Sequence, residues 1–377
     1  MNKKIKVMQF TANLGIGGLE RVVVNLAKNL NKDKFHVSVC CLKFKGAFAE
    51  ELEDDGIKII QVPQKKDGTD YFAFWKIKDI IRYEKPSIVH THNANAGVEG
   101  TIASLLSGVP VNIHTDHARS FPDTLRTMLA ERILSHFINR IVAVSAETKQ
   151  NLIKYEHIQA SKINIINNGI DGKKYDISID ILEKKKELGL ERFHHIVGLG
   201  VRLTRQKGLI HFVNAAPAVL RSFPDTAFVV AGTGYLLDDL INETKKLKIE
   251  NNFFFLGPRL DMPDILQILD VYVLPSEWEG LPLVLLEAMA ARRAIVATDV
   301  GGNSMAIEDE NCGYLIPPQR PDLLAEKINA MLESDEARRI FADNAYRKFQ
   351  SQFDIKHMVS EYEKIYEEEL LKKGIVF

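Results

Sequence analysis

The sequence predicts an α/β protein made of two doubly wound domains. Three observations carry that expectation: the chain length, a strand-and-helix rhythm that occurs twice, and a charged stretch that interrupts it. A chain of 377 residues, 46% of them hydrophobic, exceeds one average domain and suits two.

The rhythm begins with KIKVMQF, followed by a glycine turn and then Leu19, Val22, Val23, Leu26, Ala27 and Leu30 at helical spacing. Further buried-strand patterns are FHVSVCCL, IKIIQV, SIVHTH, VNIHTD, RIVAVS and INIINNG, with helix-like segments between several of them. The rhythm stops in DGKKYDISIDILEKKKELGLERFHH, where charge dominates. It restarts with HIVGLGV, TAFVVAG, NNFFFLG, DVYVLP and RAIVATD. The expected division is residues 1–175 and 176–355, each a Rossmann-like domain, with ligands in a cleft beyond the carboxyl ends of the strands. No short repeat or low-complexity segment is present.

Composition narrows the function. Lys plus Arg total 49 against 50 Asp plus Glu, so no global positive field exists to hold nucleic acid, and any bound anion must be held locally. Cys40, Cys41 and Cys312 lack metal-ligand spacing, and adjacent cysteines rarely pair, which implies a reducing, cytoplasmic setting. The opening MNKKIKVMQF runs into Thr11, Asn13 and a glycine loop, unlike a signal peptide, and no apolar run approaches membrane-span length. Work at a membrane would be from its surface.

Three loops offer chemistry. Glycines in Gly15-Ile-Gly17-Gly18 allow backbone N–H groups to approach a phosphate at the start of a helix; the same glycines serve equally as a plain strand-to-helix turn. Glu20 stands where GxGxxG requires its last glycine, which weighs against a dinucleotide site. In GVRLTRQKG, Arg202 and Lys207 follow a strand and fit a diphosphate, Arg as a planar fork and Lys as a point charge; solvated surface cations are the alternative.

In PSEWEGLPLVLLEAMAARR, a strand end leads through an acidic loop to a helix opened by Pro282. The amides of Gly280, Leu281, Leu283 and Val284 then suit an anion or sugar hydroxyls. Glu279 falls in the loop and Glu287 about a turn and a half into the helix, so the two carboxylates need not share a face. A solvated Glu287 fits poorly with Leu283, Leu285, Leu286, Ala288 and Met289 around it.

The Glu279-to-Glu287 spacing within E-G-x-P-L-x-x-L-E-A resembles the signature of retaining GT-B glycosyltransferases of family 4. The Arg202–Lys207 loop, the Gly17-Gly18 pair followed by Glu20 and Arg21, Asn168-Gly169-Ile170-Asp171 and Gly301-Gly302 are similar in kind and order. The resemblance implies two Rossmann-like domains facing a central cleft and sugar transfer with retention by a front-face route without a protein nucleophile. Glu287 would then hold the donor ribose, Glu279 the transferred sugar, and the amides around Gly280, Leu281, Pro282, Leu283 and Val284 its hydroxyls or phosphate. Arg202 and Lys207 would hold the diphosphate, and Gly17 and Gly18 would complete the phosphate pocket.

No Asp-x-Asp occurs in the chain, so no metal is expected. The implied donor is a nucleotide-diphosphate sugar, UDP favoured over GDP, and the acceptor a glycan, a lipid-linked glycan or a small molecule. Rival readings are a non-hydrolysing sugar-nucleotide epimerase, a non-catalytic nucleotide-sugar-binding protein and, third, a nicotinamide dehydrogenase.

Of His90, His92, His114 and His117, only His117 occupies the place of the family's acceptor-side histidine, where it would orient a sugar or handle the acceptor proton. Met305 stands where family members often carry a glutamate after the glycine pair. The C-terminal pattern Phe353, Met358, Tyr362, Ile365, Tyr366 resembles a last helix, about 356–377, that packs back on the first domain. Leu125, Met128, Leu129, Ile133, Phe137 and Ile138 form one stripe in DTLRTMLAERILSHFINR. Packing on the sheet is the favoured explanation, and peripheral contact with the inner face of a cytoplasmic membrane is the alternative.

Overall fold

The computed structural model describes residues 4–63, 73–117 and 122–377. The chain divides into two compact units, residues 1–169 with 355–377, and residues 170–354.

In the first unit the strands are β1 (Ile5–Asn13), β2 (Phe35–Phe44), β3 (Lys58–Gln61), β4 (Ile88–His92), β5 (Val111–Asp116), β6 (Arg140–Ala143) and β7 (Ile163–Ile165). They form one parallel sheet in the order β3-β2-β1-β4-β5-β6-β7. The second unit holds β8 (His195–Gly200), β9 (Thr226–Ala231), β10 (Phe253–Gly257), β11 (Val271–Leu274), β12 (Ala294–Thr298) and β13 (Tyr314–Ile316), parallel in the order β10-β9-β8-β11-β12-β13. The continuous apolar runs follow from this topology, because helices cover both faces of a parallel sheet. Every residue of β9, β11 and β12 is buried. Strand order reverses direction between β1 and β4 in one sheet and between β8 and β11 in the other, and these switch points are where such folds bind ligands.

The units change over at residue 169, several residues before the expected 175. Residues 171–175 belong to the second unit because they turn against it: the Gln267 amide donates to the Tyr175 carbonyl at 2.6 Å, and the Phe349 ring sits against Gly172. Ile170 pairs with Asp354, so the outgoing and returning segments lie side by side. The helix Ile355–Lys372 returns to the first unit, where Tyr362 and Tyr366 are buried and Arg140 binds Glu369 at 2.7 Å. Cys40, Cys41 and Cys312 are free and buried, and burial pushes the Cys41 thiol up to about 12.

One backbone position holds two loops of the second unit together. Gly208, at φ +59°, places its Cα so close to the Pro275 carbonyl that a side chain would overlap it. Gly208→Ala is therefore expected to lower stability by roughly 2–3 kcal/mol in urea unfolding, combining left-handed strain with the overlap. Gly189→Ala, at φ +70° with open space around it, should cost only about 1 kcal/mol.

Candidate active site

Loops from the carboxyl ends of three adjacent strands, β8, β11 and β12, build the site of the second unit. After β8, residues Arg205–Lys207 make a single tight turn before the helix Leu209–Ser222. The β11 loop docks on that turn: Glu277 N–H donates to the Gln206 carbonyl at 2.8 Å, and the Gln206 amide donates to the Trp278 carbonyl at 3.1 Å. The β12 loop closes from the other side. Gly301, at φ +58°, lies against the Glu279 carbonyl too closely for any side chain, and Gly302 N–H donates to the Gly280 carbonyl. Thr298 donates to the Ser276 carbonyl at 2.7 Å, and the buried Asn303 amide to the Thr298 carbonyl at 2.9 Å.

This frame delivers Lys207 to Glu279. The Lys207 ammonium donates to Glu279 Oε1 at 2.5 Å, and the Ser276 hydroxyl donates to the same oxygen at 2.7 Å. The side chains are 13% and 3% exposed. Removing one partner of so buried a pair costs on the order of 3–5 kcal/mol, so the pair holds its geometry firmly. The sequence assigns Lys207 to the diphosphate and Glu279 to the sugar of one donor; the structure also joins them to each other. Among the described residues Glu279 takes one N–H of Lys207, which leaves two for a phosphate.

Arg202 is exposed on the same connection and makes no ion pair among the described residues, leaving its fork available to a ligand. Pro282 is the N-cap of the helix Leu283–Ala290 rather than its first residue, and no side chain caps that helix. The Leu283 and Val284 amides at its start therefore remain suited to an anion. Glu287 is half-buried within the helix. Tyr272, on β11, is fully buried, and its hydroxyl is held well above the usual phenol range by burial, then by the charges of Glu287 and Glu279. One phenol thus senses both carboxylates, which places them in one neighbourhood. Met305 is half-buried in the short helix Asn303–Ala306.

Sequence reasoning passed over Ser276, Gln206 and Thr298. Ser276 stands three residues before Glu279, but a lone serine in a loop carries no signal for a hydrogen bond set by tertiary packing.

In the first unit, Gly17 is the N-cap of the helix Gly18–Asn29 with extended backbone, and the Glu20 carboxylate folds back beside its Cα. The Glu20 carboxylate thus lies against Gly17, while the space beside Gly18 is open. Burial holds His90 and His92 well below the ordinary imidazole range and lowers His117 to about 3. His117 Nε2 lies 3.1 Å from His92 Nδ1, and its backbone N–H donates to Asn93 Oδ1 at 3.1 Å. His114 bonds Thr91 Oγ1 at 2.9 Å. The loop just after His117 lies outside the described residues.

The helix Leu125–Ser135 divides the apolar stripe: Met128 is half-buried, and Ile138, just beyond the helix, is buried in the core. Glu131 and Ser135 point inward, whereas Leu125, Leu129, Ile133 and the following Phe137 are 82%, 58%, 53% and 53% exposed. Arg126 and Arg132 are exposed beside them. Packing accounts for Met128 and Ile138 but not for the four exposed residues of the stripe.

Comparison with known proteins now gives the class. Residues 16–174 match the family described as Glycosyltransferase Family 4, and residues 180–348 the family Glycosyl transferases group 1. The chain is 30% identical, over 99% of both chains, to the UDP-Gal:alpha-D-GlcNAc-diphosphoundecaprenol alpha-1,3-galactosyltransferase of Escherichia coli. It is 36% identical over 48% of its length to the lipopolysaccharide core mannosyltransferase LpsB of Rhizobium meliloti, covering 53% of that protein. Among solved structures, Anabaena HepE in complex with UDP and glucose superposes with a TM-score of 0.87 at 22% identity, covering 97% of this chain and all of that one. The chain belongs to glycosyltransferase family 4, group 1, with two Rossmann-like domains of the GT-B class, and is a glycosyltransferase of polysaccharide or glycoconjugate synthesis.

The buried imidazoles make stability depend on pH. The unfolded chain takes up protons near pH 6.5, while the folded chain resists until far lower, about 3 for His117. The stabilisation is therefore complete above about pH 6.5 and lost as pH falls, at about 1.4 kcal/mol per pH unit for each such group. Thermal melts should show a falling Tm from pH 7 to 5, with a shallower fall for His90→Gln.

Proposed function

We propose that the protein transfers a hexosyl or N-acetylhexosaminyl unit from a UDP-sugar to a lipid-linked glycan, with retention of configuration and without a metal ion. The buried Lys207–Glu279 pair beside an uncapped helix start is the observation that carries the reading. Charge builds on the departing diphosphate as the glycosidic bond breaks. A fixed ammonium in a site so shielded from water stabilises that charge more than a solvated one would. Arg202 adds a second, planar grip, and the Leu283 and Val284 amides, with Gly280, Leu281 and Pro282 shaping the turn, face phosphate or sugar oxygens. Gly17 and Gly18 keep the phosphate-side role implied by the family resemblance.

Glu279 positions the sugar rather than attacking it. Its Oε1 already accepts from Lys207 and Ser276, which blunts it as a nucleophile and favours a front-face route. Glu287, a helix residue in an apolar setting, holds the ribose hydroxyls. His117, neutral above about pH 3, orients a hydroxyl of the acceptor or the transferred sugar. The Escherichia coli relative is named for making an alpha-1,3 linkage from UDP-Gal, the linkage that retention gives when the donor sugar is α-linked. That relative's acceptor is a diphosphoundecaprenol, which favours a lipid-linked acceptor here.

The exposed stripe of Leu125, Leu129, Ile133 and Phe137, flanked by Arg126 and Arg132, suits the surface of an anionic membrane from the cytoplasmic side. Among the described residues no helix is long and apolar enough to cross a membrane. Neither the epimerase nor the binding-protein reading is favoured.

In transfer assays with UDP-sugars and a lipid-diphosphate acceptor, activity should persist in EDTA and the product should carry the donor's anomeric configuration by NMR. Glu279→Gln should cut turnover at least about 100-fold while weakening donor binding only about tenfold. Equal losses of both, or isomerised nucleotide sugar without acceptor, would count against the proposal. Leu129→Asp with Ile133→Asp should reduce co-sedimentation with anionic vesicles at least about tenfold, since two buried aliphatic side chains are lost.

A further inference from the structure

A continuous hydrogen-bonded chain runs through the interior of the first unit and ends at His117. Its members come from four places: Gln9 on β1, His90 and His92 on β4, Thr115 on β5, and Tyr362 and Tyr366 on the C-terminal helix. None of them is more than 1% exposed, and His117 is 5% exposed. Water therefore plays little part in deciding which atoms carry hydrogens.

Starting from the Gln9 amide orientation, donor and acceptor counting gives the protons along the chain. The Gln9 amide nitrogen donates to the Tyr366 hydroxyl at 3.1 Å, and its Oε1 lies 2.7 Å from His92 Nε2. A carbonyl oxygen only accepts, so the hydrogen of His92 is on Nε2. Its Nδ1 is then a lone pair, because burial keeps this imidazole neutral. The hydrogen in the 3.1 Å contact between His92 Nδ1 and His117 Nε2 accordingly belongs to His117. Neutral His117 with its hydrogen on Nε2 has a bare Nδ1.

The second branch obeys the same sense. The Tyr366 oxygen accepts from Gln9 and sends its own hydrogen to His90 Nδ1 at 2.6 Å. His90 must then carry its hydrogen on Nε2, which donates to Thr115 Oγ1 at 2.7 Å, and Thr115 meets Tyr362 at 3.0 Å.

We propose that Gln9 and His92 are positioning residues that hold His117 in its Nε2–H tautomer, presenting Nδ1 as an acceptor for a sugar or acceptor hydroxyl, and that the orientation of the Gln9 amide sets the sense of the relay. The inference rests on the reading that His117 meets a substrate hydroxyl. It excludes His117 as a hydrogen-bond donor to the leaving phosphate. The C-terminal helix takes part in the relay, since it supplies the hydroxyl that accepts from the Gln9 amide.

The test begins with the full-length protein carrying ¹⁵N-labelled histidine, whose imidazole nitrogens report tautomers directly. His90, His92 and His117 should all show the Nε2–H form at pH 7.5; an Nδ1–H form at His92 or His117 overturns the proposal. Gln9→Met keeps the side-chain length and removes the amide. It should mix the His117 tautomers and lower kcat roughly tenfold, with KM for the nucleotide sugar within about twofold. Gln9→Glu keeps an oxygen facing His92 and should restore the Nε2–H signal and most of kcat, which a purely structural role would not predict. An unchanged kcat in Gln9→Met with a mixed His117 tautomer overturns the positioning role. Wild-type turnover in His117→Ala would instead sink the underlying reading of His117, while the tautomer spectra of the wild type would stand unaffected.

Discussion

The ion pair between Lys207 and Glu279 is the contact on which the second domain's loops depend. It brings a cation from the β8 connection onto a carboxylate from the β11 connection at 2.5 Å, with both side chains nearly closed to water. Such a pair is stable only where the backbone is held rigidly, because a buried charge that loses its partner is expensive. The backbone is held by close approaches at which a side chain would not fit: Gly208 against Pro275, and Gly301 against Glu279 itself. Ser276, anchored through its carbonyl by Thr298, adds a second donor to the same Glu279 oxygen. The loops thus form one unit whose product is a fixed positive charge with N–H groups to spare.

The first domain uses the opposite electrostatics. Its switch point holds neutral imidazoles, amides and phenols linked by hydrogen bonds, with no charge needed to hold them in place. Desolvation keeps these histidines neutral, so direction in the network comes from donor and acceptor order rather than from ionisation. A charged pair suits a leaving group that gains charge, and a neutral acceptor suits a hydroxyl that must be oriented.

Much of this was legible in the chain, because parallel strands buried on both faces leave uninterrupted apolar runs. HIVGLGV and DVYVLP could be read as strands without a structure, and the loops after them followed. Arg202, Lys207, Glu279 and Glu287 could be found because they cluster in those loops beside glycine and proline signals. The mutual pairing of Lys207 and Glu279 could not, since the contact joins residues 72 apart through loop packing. Gln9 was invisible for the same reason: a single glutamine within a strand gains meaning only when β4 and the C-terminal helix are laid beside it. The stripe around Leu125–Ser135 was legible only in part, since Ile138 packs into the core while Leu125, Leu129, Ile133 and Phe137 face outward. Periodicity gives an apolar face but not which way it points, and burial of Glu131 and Ser135 turned those residues outward.

The account makes Lys207 and Glu279 a coupled unit for donor binding, and a double-mutant cycle on UDP affinity tests that most directly. Titration calorimetry would compare the wild type with Lys207→Met, Glu279→Gln and the double variant. Coupling predicts that Lys207→Met weakens UDP at least about tenfold and that adding Glu279→Gln changes little further, because the glutamate acts through the lysine it holds. Strictly additive losses, or UDP affinity unchanged in Lys207→Met, would contradict the account.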